Sequence, residues 1–213
     1  MSYNNVPYKI INSNKSNNFI LDLETGTNNI TNNLNIFLSS IQQVVANSLK
    51  NERETKLIFY ASKVLTLADV LKNQTLSYDE CLIMVGCLSR QLMYLNDRNI
   101  TIMGFDLDDI LVLNNMSMFF IASPHYLKNV YNKKIEFDLP FYKPKFVSPL
   151  VKTVESIPSC VPCFVDRCSL AMIIIHAFGL SHLDLNLDSI KHTKLYWFLK
   201  RCLNHYDGRM ILI

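Results

Sequence analysis

FVDRCSLAMIIIHAFGL, Phe164 to Leu180, is the longest apolar run in the chain, and polar segments flank it on both sides. It opens with an acid. Asp166 sits where an N-cap belongs, its side-chain oxygen able to accept from the exposed amides of a first helical turn. From Leu170 to Leu180 the residues are apolar nearly all round, which predicts a helix buried on every face. The run falls short of the ~20 apolar residues that a membrane span needs. It reads as a central buried helix with other elements packed around it.

The chain of 213 residues is long enough for one large domain or two small lobes sharing a core. Hydrophobic residues at 49% and charged ones at 18% suit a globular protein with a sizeable core. The net charge of +3 comes from scattered basic residues, so no nucleic-acid surface is expected. The opening MSYNNVPYKIINSNK lacks an apolar signal-peptide core, which predicts a reducing cytosol and free thiols. Cys160 and Cys163 form a CxxC, but zinc needs a second ligand pair, and Cys168, His176 and His182 do not supply one. A redox CxxC opens a helix within a βαβ unit, and none is visible. The six cysteines read as small apolar core residues.

Taken in order, Tyr8–Ile11 and Phe19–Leu23 alternate as short strands around the polar turn NSNKSNN. Leu34, Phe37, Ile41, Val44, Val45 and Leu49 recur at helical spacing, predicting an amphipathic helix over about 31–50. Lys56–Tyr60 reads as a strand. Thr66 caps a short helix to Leu71, and Ser77 with Glu80 makes the capping box of a longer one. Ile110–Leu113 and Met118–Ile121 form a hairpin around NNMS. Ser123–Pro162 reads as a long irregular stretch, a kind usually functional or regulatory. Past the central helix come a short polar helix near 184–191 and a last one from Thr193 to Asn204. In that last helix Tyr196 and Trp197 are candidates for a partner anchor, but the nearby Leu195, Phe198, Leu199 and Cys202 favour core packing.

This order of elements resembles a protein kinase over roughly 57–207. TLADVLKNQTLSYDECLIMVGCLSRQLMYLNDRNI is similar to the two helices below the nucleotide hinge, running into the catalytic loop. DDILVLNNMSMFFIAS resembles the metal-binding end of that loop and the hairpin before D-F-G. FVSPL, 146–150, is similar to the Pro-Glu end of the activation segment. Asp166, Cys168 and Ser169 fall where the family has Asp, Trp and Ser at the head of its central helix. Reduced kinase-like proteins of large DNA viruses are similar in the same way. The resemblance implies an α+β, two-lobed fold: residues 1–64 a reduced N-lobe of few strands plus one helix, residues 65–213 a mainly α-helical C-lobe.

Phosphoryl transfer needs a lysine on the phosphates, a carboxylate for the hydroxyl and metal-holding groups. With Asp109 at the metal-binding Asn position, H-R-D falls on Ile102, Met103 and Gly104, and D-F-G on Ala122, Ser123 and Pro124. GTNN at 26–29 is a poor glycine-rich loop, and FILDL carries no lysine. By this resemblance Gly104 and Ala122 are degenerate catalytic positions. Asp166, Pro149 and Arg209 are structural ones: Asp166 would accept from the catalytic-loop backbone, Pro149 lacks its glutamate because Leu150 follows, and Arg209 lies one residue early for the late arginine. A pseudokinase is implied, a scaffold or decoy that binds another protein. ATP and magnesium are not expected as ligands, nor nucleic acid or membrane as partners. The place implied is the cytoplasm, the host's if the protein is viral.

Two alternatives stay open. One is a divergent kinase using displaced residues. The other is a magnesium-dependent phosphatase of the haloacid-dehalogenase type, since FDLDD at 105–109 resembles its first motif, with Asp106 as nucleophile and Asp108 as general acid/base. Asp106, Asp108 and Asp109 are also a weak cation candidate, Asp109 foremost; two solvated side chains and one capping the turn are the favoured account.

Overall fold

Alternating residues at the start of the chain build an antiparallel sheet. Strands β1 (Tyr8–Ser13), β2 (Asn18–Leu23), β3 (Leu49–Lys50) and β4 (Lys56–Tyr60) lie in the order β1-β2-β4-β3. The computed structural model describes residues 8–13, 17–23, 31–51, 55–181 and 186–204. Leu21, Leu23, Leu57 and Phe59 point to the core at every second position, as a one-sided sheet requires. Helix α1 (Thr31–Gln42) follows β2 and buries Leu34, Phe37, Leu38 and Ile41.

That helix is shorter than the 31–50 span its apolar spacing predicts. Val44 and Val45 still bury their side chains, but in a tight turn where the Val44 amide donates to Ile41 O at 2.9 Å. Asn47 then turns left-handed at φ 62°, and Leu49 continues as strand β3. Burial periodicity ran on through the turn; the hydrogen-bond ladder did not.

The rest of the chain is mainly helical. Strand β5 (Val64–Thr66) leads into α2 (Leu67–Leu71), which Thr66 caps by accepting from the Asp69 amide at 3.1 Å. Residues 64 and 65, where the lobe boundary was expected, lie within β5. Helix α3 (Tyr78–Asn96) starts with the expected box: the Ser77 amide donates to Glu80 at 2.7 Å, and the Glu80 amide to Ser77 Oγ at 3.3 Å. Then come β6 (Ile100–Ile102), β7 (Gly104–Phe105), a 3-10 turn over Leu107–Asp109, and the hairpin β8 (Ile110–Leu113) and β9 (Met118–Ile121). Strand β5 pairs with the other edge of β8.

The stretch 123–162 is more ordered than expected. Strand β10 (Leu127–Asn129) pairs with β6, β12 (Phe146–Val147) with β7, and β11 (Lys134–Phe137) with β13 (Ser159–Pro162). Pieces of two to four residues are too short for a period to be read from sequence. Helix α4 (Pro149–Lys152) lies between β12 and β13.

Helix α5 (Val165–Ala177) is the predicted centre, buried from Cys168 through Ile175 and packed against α3, β7, β12 and α6 (Lys194–Leu203). It ends in a Schellman turn: Leu180 N donates to Ile175 O and Gly179 N to His176 O, both at 3.0 Å, with Gly179 at φ 87°. The polar helix near 184–191 is a 3-10 turn, Asp188–Ile190, with residues 182–185 outside the described ones. A sheet with one helix, then helices packed around a short-stranded loop region, is a two-lobed, kinase-like α+β arrangement.

Candidate functional site

The loop from Met103 to Asp109 is where the kinase resemblance places the chemistry, and its own residues bind it tightly to the protein. Asp106 uses both carboxylate oxygens: Oδ1 accepts from the Lys145 amide at 2.8 Å, and Oδ2 from the Tyr126 hydroxyl at 2.6 Å. Asp109, 6% exposed, accepts the Asp106 amide at 2.7 Å, and its carbonyl accepts the Ala122 amide at 2.8 Å. Only Asp108 of the three turns its side chain to solvent, while its carbonyl accepts the Tyr8 hydroxyl at 2.5 Å.

Burial sets the electrostatics here. It pushes Asp109 up to about 7, against the pull of the Asp106 amide and the Ser123 hydroxyl. Burial also raises the Tyr8 and Tyr126 phenols, and nearby carboxylates add to it: chiefly Asp109 for Tyr8, and Asp106 for Tyr126. Both phenols remain donors. The Tyr8–Asp108 bond therefore joins β1 to the loop across the two lobes. Phe59 of β4, edge-on to Phe120 of β9 at 5.7 Å, adds an apolar join.

Gly104, which the resemblance would put at the catalytic base, is closed off. A Cβ there would sit 2.5 Å from Pro144 Cγ and 2.8 Å from the Phe146 carbonyl. Ala122, which the resemblance would put at the first residue of D-F-G, is fully buried, and beside it Gln91 grips Ile121: Nε2 donates to its carbonyl at 3.0 Å, and its amide donates to Oε1 at 2.8 Å. Sequence reading missed Gln91, whose place on the buried stripe of α3 was the available signal. In β2, where the resemblance would put the phosphate lysine, Asp22 pairs with Lys56 at 2.8 Å. Helix α1, which would supply the glutamate partner, contains no acid.

Asp166 is not the N-cap. Phe164 holds that place without a side-chain bond, because α5 begins two residues earlier than the acid suggests. From inside the first turn, Asp166 accepts from the Arg167 amide at 2.7 Å and from Asn96 Nδ2 at 2.8 Å, and complete burial still raises its pKa. The loop backbone is held by Ser169, whose Oγ lies 2.9 Å from the Met103 carbonyl and accepts the Ser148 amide at 3.0 Å. Ser148 caps α4 and Pro149 is its first residue. Arg209 and GTNN, 26–29, lie outside the described residues.

The phosphatase reading is not favoured. Its motif needs an apolar strand delivering a free aspartate; here β7 is two residues long and antiparallel to β12, and both Asp106 oxygens already accept bonds. Among the described residues no group of three His, Cys, Asp or Glu is placed to hold a metal ion, and no helix is long and apolar enough to cross a membrane. A cavity of about 300 Å³ lies elsewhere, between α2 and the 114–117 turn, lined by Lys63, Leu65, Val70, Asn73, Val112 and Met116.

No protein-family model matches the chain, and no curated protein does. Among solved structures it is similar to the kinase PK-1 of Cydia pomonella granulovirus. That match has 14% identity and a TM-score of 0.48, and covers 81% of this chain and 69% of that one. By the order of its own elements, the chain has a two-lobed, kinase-like α+β fold.

Proposed function

We propose that this chain is a kinase-like pseudoenzyme that acts by binding another protein. The observation that carries the reading is Gly104. The catalytic loop of a kinase presents an aspartate to the substrate hydroxyl. Here that position has no side chain, and Pro144 and Phe146 fill the space one would occupy. Three further features support it: Ala122 in place of the metal-binding acid, an acid rather than a lysine facing Lys56 across the sheet, and an Asp109 carboxylate turned inward onto the Asp106 amide. A fold kept in this state suits a scaffold or decoy. The partner is a protein, with neither nucleic acid nor membrane required, and the expected place is the cytoplasm, the host's if the source is viral.

ATP and magnesium are not ligands on this reading. Each absent charge-assisted contact removes about 1.5–3 kcal/mol. Together these losses move ATP affinity from micromolar toward millimolar or weaker, since about 1.4 kcal/mol is tenfold. A thermal-shift titration with millimolar ATP and magnesium tests this. No change in Tm is expected; a stabilisation that requires magnesium overturns the reading.

A further inference from the structure

Helix α6 has an exposed face. Leu195, Phe198, Leu199 and Cys202 bury one side of it, and the opposite side carries Lys194, Trp197, Lys200, Arg201 and Asn204. At 3.6 residues per turn Trp197 sits at the middle of that outer side, with cations three residues before it and three and four after. It is 47% exposed, a large aromatic surface among charges rather than over the core. The Lys200 ammonium stands 5.5 Å from its ring and from that of Tyr196, and Tyr196 meets Trp197 edge-on at 5.1 Å. From Ser189 to Asn204 there is no acid, although Lys191 and His192 are also exposed, and no ion pair neutralises these cations among the described residues.

We infer that this outer face of α6 is a docking surface for an acidic peptide segment of a partner protein, with Trp197 as its anchor. Charge complementarity selects the occupant: cations around one ring, with no ion pair among the described residues, fit carboxylates flanking an apolar side chain. Tryptophan and arginine are the residues that most often dominate binding at such centres. A membrane-lying helix needs a broad apolar face, and here one aromatic is exposed. Nucleic acid needs a longer basic track than the ~15 Å of this helix offers. The inference gives the scaffold reading a surface and a partner chemistry, and depends on that reading only for what the binding serves.

Trp197 is the one tryptophan of the chain, so intrinsic fluorescence reports on this face alone. The full chain is titrated against a fluorescein-labelled peptide of glutamates around a central leucine. Parallel titrations use its glutamine counterpart, vesicles of phosphatidylcholine with phosphatidylserine, and a single-stranded oligonucleotide. The expected result is a saturable anisotropy rise and a blue shift of Trp197 emission with the glutamate peptide only. In the Lys200→Glu, Arg201→Glu double variant affinity should fall roughly tenfold or more, with an unchanged melting curve. No saturable binding of the glutamate peptide overturns the inference, as do equal binding of the glutamine peptide, undiminished binding by the double variant, or a stronger response to vesicles or oligonucleotide. Each of those leaves the pseudokinase reading standing, whereas phosphate transfer would remove that reading and leave a positive peptide result intact.

Discussion

The head of α5 and the loop packed on it are two sides of one contact, and they treat polar groups in opposite ways. On the helix side, Asp166 and Ser169 are fully buried and engage Asn96, the Met103 carbonyl and the Ser148 amide. On the loop side, the positions where the kinase resemblance would put chemistry hold Gly104, which has no room for a Cβ, and the fully buried Ala122. Holding the loop in place and equipping it for phosphoryl transfer are separable tasks. The first depends on satisfying buried donors and acceptors, which remains costly to lose whatever the protein does. The second, on the function proposed above, depends on side chains that this chain does not carry.

The strongest way to break that contrast is to force the loop side to carry a carboxylate. Gly104→Asp should cost about 3–5 kcal/mol, from overpacking against Pro144 and Phe146 and from an unpaired buried charge. Denaturant unfolding reads this directly. A variant as stable as the parent would mean that the loop opens easily and that the position is merely vacant. On the helix side, Asp166→Ala should cost about 1–3 kcal/mol by leaving the Asn96 amide and the Arg167 N–H unpartnered. An unchanged melting curve would mean that the head of α5 is held by Ser169 alone.

A smaller effect, read by pH, belongs to the buried acid of the loop. Asp109 is raised from 3.8 to about 7 in the folded chain. The folded state therefore holds its proton more tightly than the unfolded state. Its contribution is fully present below about pH 4, is lost as pH rises toward 7, and is flat above that, with a slope of at most about 1.4 kcal/mol per pH unit. Asp109→Asn should flatten the stability profile of the chain between those limits. An identical profile would place the proton elsewhere. Least of all, Trp197→Ala should change stability by no more than about 0.5 kcal/mol, because its ring faces outward. A larger loss would make it a packing residue.

What could be read from sequence was whatever repeats or caps locally. The α5 run, the Ser77–Glu80 box, the Thr66 cap and the NNMS hairpin all declare themselves within a few neighbours. What could not be read depends on contacts between distant segments. Asp166 looked like an N-cap because its partner Asn96 lies 70 residues away. The closure over Gly104 comes from Pro144 and Phe146, in a stretch whose two-residue strand gives no periodic signal. Asp106 and Asp108 mimicked a phosphatase motif for the same reason: eight residues do not reveal that β7 is antiparallel to its neighbour or that Tyr126 and the Lys145 amide cover the carboxylate. In the last helix the packing of Leu195, Phe198, Leu199 and Cys202 was legible, but it was expected to outweigh an exposed anchor, and Trp197 lies on the other side of that helix at 47% exposure.

The central claim, that the loop keeps its place without its chemistry, is tested most directly by transfer of labelled phosphate. The purified chain is incubated with γ-labelled ATP and magnesium, alone and with a generic protein substrate. The expected result is no label on either protein, in the parent and in Asp109→Ala alike. Label that appears with the parent and disappears with Asp109→Ala would contradict the account outright.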